Sequence, residues 1–271
     1  MKKTPLTLSE CQAISLDILT YFDAFCREHG LRYYLAYGTL LGAIRHGGFI
    51  PWDDDIDLIM TREDYARMLT IFSDAEGRYR CISFEQGSFY LPFAKIVDTR
   101  TEQLPDHTKP YAGLGVGIDV FPFDTFRGTR EQVLKQKKRA TSLLRRLRYT
   151  LYPSLRSLNA DGFLPLHSAY YLYCKLFGTA YFTRKLRRYI ERIGGGEGPY
   201  VGLAAALDSD AHCVYDASIF DAQAAYTFDG HTFTSFADYD RFLTTAYGDY
   251  MTPPKEENRI PHLATSYRID E

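Results

Sequence analysis

Four aspartates at positions 53, 54, 55 and 57 stand directly before an apolar stretch, and they are the residues of this chain best suited to chemistry. Alternate side chains of a β-strand point to the same face, so a strand here would hold Asp55 and Asp57 side by side. Two carboxylates about 4 Å apart repel each other by roughly 4 kcal/mol at an effective dielectric constant of ~20, and a cation between them removes that cost. Carboxylate oxygens favour hard cations, so the pair predicts a site for Mg²⁺, with Mn²⁺ as the alternative ion.

Two other interpretations of the aspartates lead to different sites. A solvated acidic turn would leave them without a ligand, but the alternation of Asp55, Ile56, Asp57 and Leu58 favours a half-buried strand. A calcium-binding EF-hand loop would use Asp53, Asp55 and Asp57 as its first ligands, but it needs glycine where this chain has Leu58. The EF-hand is therefore excluded.

Gly38 and Thr39 connect a predicted short strand, residues 31–37, to a predicted short helix, residues 39–45. Glycine lets a ligand approach the backbone closely, and the N–H groups at a helix start favour an anion. An ordinary helix cap is the alternative interpretation. The order of strand, Gly-Thr turn, helix and aspartate strand places a phosphate cradle opposite a metal site. Phosphoryl or nucleotidyl transfer needs this arrangement, because its catalysis is mainly positioning and charge neutralisation.

A single carboxylate, Asp119, interrupts an otherwise apolar strand-like run at residues 116–121. A buried carboxylate without a partner is costly, so a cation or a hydrogen-bond donor is expected beside it. Asp119 is therefore predicted to be either the third metal carboxylate or the base that activates an acceptor hydroxyl. A structural aspartate in a salt bridge is the alternative.

The other local patterns predict a mixed α/β (α+β) chain with helices flanking a mixed sheet. Thr7 and Glu10 form a capping-box pattern before an amphipathic helix, Gly30 is suited to end that helix, and Thr61 is suited to cap another at residues 62–72. The further predicted elements are strands at residues 79–84, 93–97 and 116–121, a long loop at 98–115, helices within 129–193, a break at 194–199, a hairpin at 226–233 and a helix at 236–247.

These patterns divide the chain into three predicted segments. Residues 1–128 form a mixed α/β catalytic core, residues 129–199 a helical region, and residues 200–271 an α+β segment that packs back on the core. No internal repeat or low-complexity stretch interrupts this order.

Composition narrows the function classes. The chain has 271 residues, 45% of them hydrophobic, and a net charge of −2, so it is expected to be globular, and overall charge offers no argument for nucleic acid. Its five cysteines show no metal-site spacing, which suggests a reducing compartment. No apolar run follows the first lysines and none is long enough to span a bilayer, so a cytoplasmic location is expected.

A basic stretch at residues 135–148 is the clearest partner signal outside the aspartates. A solvated helix face is its simplest interpretation. Anionic lipid headgroups, and hence a peripheral contact with a membrane surface, or a polyanionic glycan precursor are the alternatives. No nucleic-acid-binding motif accompanies the stretch, so nucleic acid is not expected as a partner.

Residues 37–57 closely resemble the signature of LicD-type phosphocholine transferases, a version of which fukutin and fukutin-related protein share. The resemblance continues at residues 93–101, 117–122 and 247–262, while the helical middle of the chain carries no matching motif. It implies a nucleotidyltransferase-like fold. It also implies transfer of a phospho-alcohol from a CDP-alcohol, with CDP-choline favoured, to a hydroxyl of a cell-surface glycan, lipid-linked glycan, teichoic-acid or lipopolysaccharide precursor, releasing CMP.

The resemblance also assigns roles to residues. It implies that Asp55 and Asp57 hold Mg²⁺ on the diphosphate, that Asp119 completes the metal site or acts as base, and that Gly38 and Thr39 contact phosphate.

Four basic residues are further candidates for binding the substrate or its nucleotide. Lys95 could neutralise phosphate charge, with a surface lysine at a strand edge as the alternative. Arg45 could face the nucleotide or cap its helix, and Arg259 and His262 could reach the site from the tail or be structural.

Two other functions use the same sequence features. A nucleotidyltransferase that moves a nucleoside monophosphate to a small molecule, a protein or an RNA end would need the same metal core. A non-catalytic nucleotide- or glycan-binding protein is the third class, but binding alone does not require three converging carboxylates.

Overall fold

The computed structural model describes residues 3–104, 113–154, 165–207, 212–255, 257 and 265–269. The helices in these ranges are α1 (Leu8–His29), α2 (Tyr37–His46), α3 (Arg62–Ile71), α4 (Arg130–Leu151), α5 (Pro165–Ile193) and α6 (Tyr239–Tyr247). The strands are β1 (Lys3–Pro5), β2 (Tyr34–Leu35), β3 (Asp57–Thr61), β4 (Tyr79–Ser83), β5 (Ala94–Asp98), β6 (Thr101–Leu104), β7 (Gly117–Phe126), β8 (Tyr200–Gly202), β9 (Tyr215–Asp216), β10 (Gln223–Phe228), β11 (His231–Phe236) and β12 (Thr265–Ile269).

A mixed sheet forms the centre of the fold, which confirms the predicted α/β class. Its strands follow the order β2-β3-β7-β5-β4, and β8 and β9 extend it from the far end of β7. The β3–β7 pair is parallel, whereas the other pairs of this sheet are antiparallel. The long strand β7 therefore lies between the aspartate strand β3 and the lysine strand β5, where it can carry a functional side chain toward both.

The predicted helix ends near the site are confirmed. Thr7 and Glu10 form both bonds of a capping box at the start of α1, and Gly30 ends that helix in the left-handed conformation with φ of 61°. Thr61 caps α3 by accepting a hydrogen bond from the backbone of Asp64. These local signals fix where α1 and α3 begin, and both helices pack against strands of the central sheet.

Several predicted boundaries are wrong. The strand expected at residues 31–37 is only Tyr34–Leu35, and the aspartate strand begins at Asp57, so that Asp55 precedes it. The helix expected at residues 39–45 begins two residues earlier, at Tyr37, and the strand expected to end at residue 121 continues to Phe126. The predicted loop at residues 98–115 contains β6, a polar strand that pairs with β12 in a second sheet. Its sequence, Thr-Glu-Gln-Leu, has no apolar alternation from which a strand could be recognised. Residues 105–112 of that loop lie outside the described residues.

The middle and the end of the chain contribute to two different cores. Helices α4 and α5 pack on each other around a second core, to which Phe84 and the β7 residue Phe126 also belong, and Gly178 interrupts α5 with a φ of 74°. The predicted hairpin forms as β10 and β11 around Asp229 and Gly230. Its buried rings, with Phe242 of α6, join the same core as α1 and the central sheet. The division into three segments stays a prediction.

None of the helices in the described ranges combines sufficient length with sufficient apolar character to cross a membrane.

A buried ion pair fixes α3 to the far half of β7. Arg62 donates two hydrogen bonds to Asp124, from Nε to Oδ1 at 2.8 Å and from Nη2 to Oδ2 at 2.7 Å. A third bond runs from Arg62 Nη1 to Glu85 Oε1 at 3.1 Å, and Asp124 is only 2% exposed. Bidentate geometry of this kind fixes the orientation of the pair in addition to neutralising its charges.

We expect Asp124→Asn to lower the free energy of unfolding by about 3 kcal/mol, because it removes the buried carboxylate of the pair and leaves the Arg62 guanidinium with Glu85 as its remaining charged partner. Urea denaturation measures the change. Asp221→Asn, at an exposed aspartate, is the matched control and should change stability by less than about 0.5 kcal/mol. Equal stability of the two variants would contradict an anchoring role for Asp124.

Candidate active site

Three charged residues stand opposite one another across the middle of the central sheet. Asp57 of β3 pairs in register with Asp119 of β7, and Asp119 pairs in register with Lys95 of β5. Paired residues on neighbouring strands direct their side chains to the same face. Three residues selected separately from the sequence therefore form one row, called here the charged row.

An ion pair occupies one end of the charged row. Lys95 Nζ contacts Asp119 Oδ1, and the two side chains are 14% and 12% exposed. Burial lowers the pKa of Lys95, but the charge and hydrogen bond of Asp119 outweigh it and the pKa lies above its usual value. Lys95 is therefore a charged group within the sheet, not a surface lysine at an edge. The salt bridge considered as the alternative for Asp119 is present, with Lys95 as its partner.

Negative charge accumulates at the other end of the row. Burial, and then the charges of Asp55, Asp119 and Asp53, raise the pKa of Asp57 well above its usual value, with Lys95 opposing the shift. Burial, and then the charge of Asp55, raise the pKa of Asp53 to about 8. One lysine is too little to balance these carboxylates, so a further cation would be favourable here.

The start of α2 lies against the aspartates, although not as a cap. Ala36, rather than Thr39, is the N-cap, and Gly38 and Thr39 belong to the first helical turn. The buried Thr39 hydroxyl accepts a hydrogen bond from the Asp57 backbone N–H at 2.8 Å. A Cβ on residue 38 would lie 2.5 Å from Asp53 Oδ2, so glycine lets the Asp53 carboxylate approach the helix backbone closely. The predicted juxtaposition of the Gly-Thr step and the aspartates is therefore present.

A small polar cavity of about 150 Å³ adjoins the charged row. Asp54, Asp55 and Lys95 line it, together with Gln103 of β6 and Ser266 of β12. Its size suits a few waters or one phosphate group. Strand β6 was not predicted, so the contribution of the second sheet to this cavity could not be foreseen from the sequence.

Comparison with known proteins identifies the family. The family model described as "LicD/FKTN/FKRP, nucleotidyltransferase domain" matches residues 30–147. The lipopolysaccharide cholinephosphotransferase LicD of Haemophilus influenzae is 30% identical over 268 residues, which cover 97% of each chain. The chain belongs to the LicD family. It is therefore a transferase enzyme, as the sequence predicted.

A shorter match links this LicD-family chain to animal proteins. The ribitol 5-phosphate transferase FKRP of human and of mouse is 60% identical over 54 residues, which are 20% of this chain and 11% of the animal protein. The match is strong but local, so it concerns a short segment rather than the whole animal enzyme.

An aromatic pocket of about 340 Å³ lies beside the charged row of the LicD-family fold. Phe93 is two residues from Lys95 on β5 and Phe121 two residues from Asp119 on β7, so these rings share the face of the row, with centroids 4.5 Å apart. Arg148 of α4 also lines the pocket. The pocket was missed because tyrosine and phenylalanine are abundant throughout the chain. The two-residue spacing from Lys95 and Asp119 was the signal available.

Tyr37 is a second residue that sequence reasoning missed. It opens α2 with a φ of 44°, an unusual conformation for a residue with a side chain. Its ring contacts Phe121 and Phe242, with centroids 5.7 and 5.5 Å away. Packing thus holds a strained residue where the helix meets the site, as is common near functional groups.

Arg45 is not brought into the charged row. Arg45 lies in the last turn of α2, six residues and about 9 Å along the helix axis from Thr39. Its Nη1 donates to the carbonyl of Tyr250 at 2.7 Å, which ties α2 to the chain after α6. Arg259 and His262 lie outside the described residues, so their predicted roles stay predictions.

The side-chain donor atoms of the site can be compared with the ligands that a metal ion requires. Within the described ranges, no three His, Cys, Asp or Glu side chains are arranged around a common metal position. Mg²⁺, however, often takes only one or two carboxylates and completes its shell with water and substrate phosphates. Asp55 and Asp57 supply such a pair in a region of excess negative charge. The residues present fit Mg²⁺ in this two-carboxylate form, while Asp119 is already paired with Lys95.

We expect Asp57→Asn to keep or raise the free energy of unfolding, by up to about 1 kcal/mol in EDTA, because the amide removes a buried charge that its neighbours repel. Asp98→Asn is the matched comparison. Asp98 is more fully buried and accepts hydrogen bonds from Arg78 and Arg100. Burial raises its pKa, but those bonds outweigh it, so that the pKa of Asp98 is lowered.

Asp98→Asn should therefore lose about 2 kcal/mol in the same urea titration, because charge-assisted bonds to two arginines weaken. If Asp57→Asn loses as much, Asp57 is a structural residue and the functional assignment of the charged row is wrong.

Proposed function

We propose that this enzyme transfers a phospho-alcohol from a CDP-alcohol to a hydroxyl of a glycan precursor and releases CMP. The observation that carries the proposal is the charged row of Asp57, Asp119 and Lys95, with the polar cavity next to it. Carboxylates and a lysine around a phosphate-sized space suit phosphoryl transfer, in which positioning and charge neutralisation do most of the work. The bacterial LicD is a cholinephosphotransferase and FKRP is a ribitol 5-phosphate transferase, and these activities support the same reaction class.

Asp55 and Asp57 would hold Mg²⁺, which would supply positive charge to the diphosphate of the donor. Lys95 would add a second positive charge to the same phosphates. Thr39 positions Asp57 through its hydrogen bond to the Asp57 backbone. Gly38 keeps the start of α2 open toward the aspartates, so that phosphate can approach backbone N–H groups there.

Asp119 is assigned the role of base. In the proposed reaction the acceptor oxygen forms a bond to the phosphorus that carries the alcohol, and the bond from that phosphorus to CMP breaks. The hydroxyl proton passes to the Asp119 carboxylate. Burial raises the pKa of Asp119 and Lys95 counteracts it, with the net shift upward, so the group is a better proton acceptor than an exposed aspartate while remaining paired with a cation.

Phosphocholine is the favoured group for transfer. The rings of Tyr90, Phe93 and Phe121 line the aromatic pocket, and aromatic faces attract a quaternary ammonium ion. Arg148 lines the same pocket and repels such a cation, while it would attract the diphosphate. A binding measurement therefore decides between CDP-choline and the two donors whose alcohol is an uncharged polyol, CDP-glycerol and CDP-ribitol.

The acceptor is proposed to be a cell-surface glycan precursor, such as a lipid-linked glycan of teichoic acid or lipopolysaccharide. A lipid-linked acceptor requires the enzyme to work at a membrane surface, and a cytoplasmic enzyme would meet it there by peripheral contact. The positive charge of the helical region supports such a contact. Nucleic acid is not proposed as an acceptor.

We expect a CDP-alcohol to raise the melting temperature in a Mg²⁺-dependent manner, because a ligand at about 100 times its Kd adds about 2.7 kcal/mol of stability. The measurement is a thermal-shift panel of CDP-choline, CDP-glycerol, CDP-ribitol, CMP, ATP and UTP, each with Mg²⁺ and with EDTA. The donor that gives the largest shift is then tested for CMP release.

A shift with ATP or UTP alone would contradict phospho-alcohol transfer and favour nucleotidyl transfer to a small molecule, a protein or an RNA end. Binding of a CDP-alcohol without any release of CMP, in the presence of a glycan acceptor, would contradict the proposed acceptor. Shifts that are the same in EDTA would contradict the role of Mg²⁺.

We expect Phe121→Leu to raise the KM for CDP-choline about fivefold, since a cation over an aromatic ring is stabilised by about 1 kcal/mol. Phe121→Tyr keeps the ring and serves as the matched control, with KM close to that of the unchanged enzyme. The KM for CDP-glycerol should change less. Equal effects of Phe121→Leu on both donors would show that the pocket binds the shared nucleotide and not the alcohol.

A further inference from the structure

A basic groove runs between α4 and the part of α5 that follows Gly178. Its cavity has a volume of about 740 Å³. Six basic side chains line it and no acidic side chain does: Arg139, Arg146, Arg184, Lys185, Arg188 and Arg192. In the part of the chain that the structure describes, none of the six lies within 4 Å of a carboxylate oxygen. The groove is therefore a concentration of uncompensated positive charge.

This groove differs from the basic face predicted from residues 135–148. Lys137 is fully buried and donates to the Cys213 carbonyl at 2.6 Å, and Arg148 lines the aromatic pocket. Four of the six basic side chains of the groove come instead from α5. Together α4 and α5 carry fourteen lysines and arginines against two glutamates, while the whole chain has a net charge of −2.

An apolar patch continues the groove along α5. Leu172, Tyr173, Leu176 and Phe177 are exposed at 60%, 41%, 82% and 44%. Single exposed apolar residues are ordinary, but neighbouring ones on adjacent turns form a contiguous surface that favours a partner. Tyr181 joins the two regions, because its ring lies 4.9 Å from that of Phe177 and its hydroxyl accepts from Lys185 Nζ at 3.2 Å.

We propose that the basic groove and the apolar patch together dock on the surface of an anionic lipid bilayer. Arginine and lysine would contact the headgroup phosphates, while the leucines and aromatic rings enter the boundary between headgroups and acyl chains. A soluble polyanion, such as a phosphorylated glycan or a nucleic acid, would match the groove but leave the apolar patch without a partner. This inference goes beyond the transfer reaction and does not depend on the identity of the donor.

The geometry of α4 connects this surface with the active site. Arg139 and Arg146 line the groove, whereas Leu144 and Arg148 of the same helix line the aromatic pocket. A helix with its side chains is about 10–12 Å across. Docking would therefore hold the aromatic pocket about one helix diameter from the bilayer, within reach of an acceptor whose lipid part remains in the membrane.

The test is co-sedimentation of the full chain, without substrates, with vesicles of phosphatidylcholine alone or mixed in equal parts with phosphatidylglycerol. We expect binding to the anionic vesicles that falls as salt rises, and little binding to the neutral ones. Arg184→Glu/Arg188→Glu should weaken binding about tenfold or more, and Leu172→Ser/Leu176→Ser by about tenfold.

Matched controls change the same charge or apolar character elsewhere. Arg32→Glu/Lys255→Glu alters the net charge equally, and Ile71→Ser/Met251→Ser alters exposed apolar residues, all outside the groove and patch. Both controls should bind like the unchanged chain, and circular dichroism and melting temperature verify that every variant is folded.

Three outcomes would overturn the proposal. The first is no binding to anionic vesicles, even if a soluble polyphosphate or oligonucleotide binds in the groove. The second is equal weakening by the control pairs, and the third is a folded Leu172→Ser/Leu176→Ser variant with unchanged vesicle binding. Loss of CMP release with intact vesicle binding would leave this proposal standing and count only against the proposed reaction.

Discussion

The alignment of β3, β7 and β5 is the constraint on which the rest of the site depends. A slip of one residue in either pair would turn Asp57 or Lys95 to the opposite face, because side chains alternate along a strand. The Asp119 backbone N–H donates to the Ile56 carbonyl at 2.8 Å, and the Asp57 carbonyl accepts from the Ala36 N–H at 2.9 Å. The same backbone bonds that hold the sheet together therefore also set the spacing of the charged row.

The active site holds more carboxylates than basic partners, whereas buried carboxylates elsewhere in the fold are paired. Buried carboxylates such as Asp98 and Asp124 are matched with arginines, which is how buried charge is normally accommodated. The aspartates beside α2 have an excess of negative charge instead, and Tyr37 opens that helix in a strained conformation. Large aromatic contacts nearby, such as Tyr34 with Phe236 at a centroid distance of 4.5 Å, stabilise the fold and offset the carboxylate repulsion and the backbone strain.

The sequence predicted best what is decided locally. A capping box, a left-handed glycine or a hairpin turn acts over a few residues, so Thr7, Gly30 and the turn at Asp229 could be recognised without the fold. The aspartates could be recognised because they stand directly before an apolar strand, but only Asp57 lies within β3, and Asp55 precedes the strand on which both were expected. The pairing of Lys95 with Asp119 could not, since it depends on which strands are neighbours. Burial of Lys137 and the polar strand β6 were hidden for the same reason, because tertiary contacts override the local pattern.

Charge is distributed unevenly between the central sheet and the helices α4 and α5. A net charge of −2 conceals an acidic site in the central sheet and a strongly basic pair of helices beside it. Separation of this kind creates a field that overall charge does not reveal. The acidic site favours a cation, whereas the basic helices attract anions directly. Helix α4 lines both the aromatic pocket, through Arg148, and the basic groove, through Arg146, so a single helix fixes the position of one relative to the other.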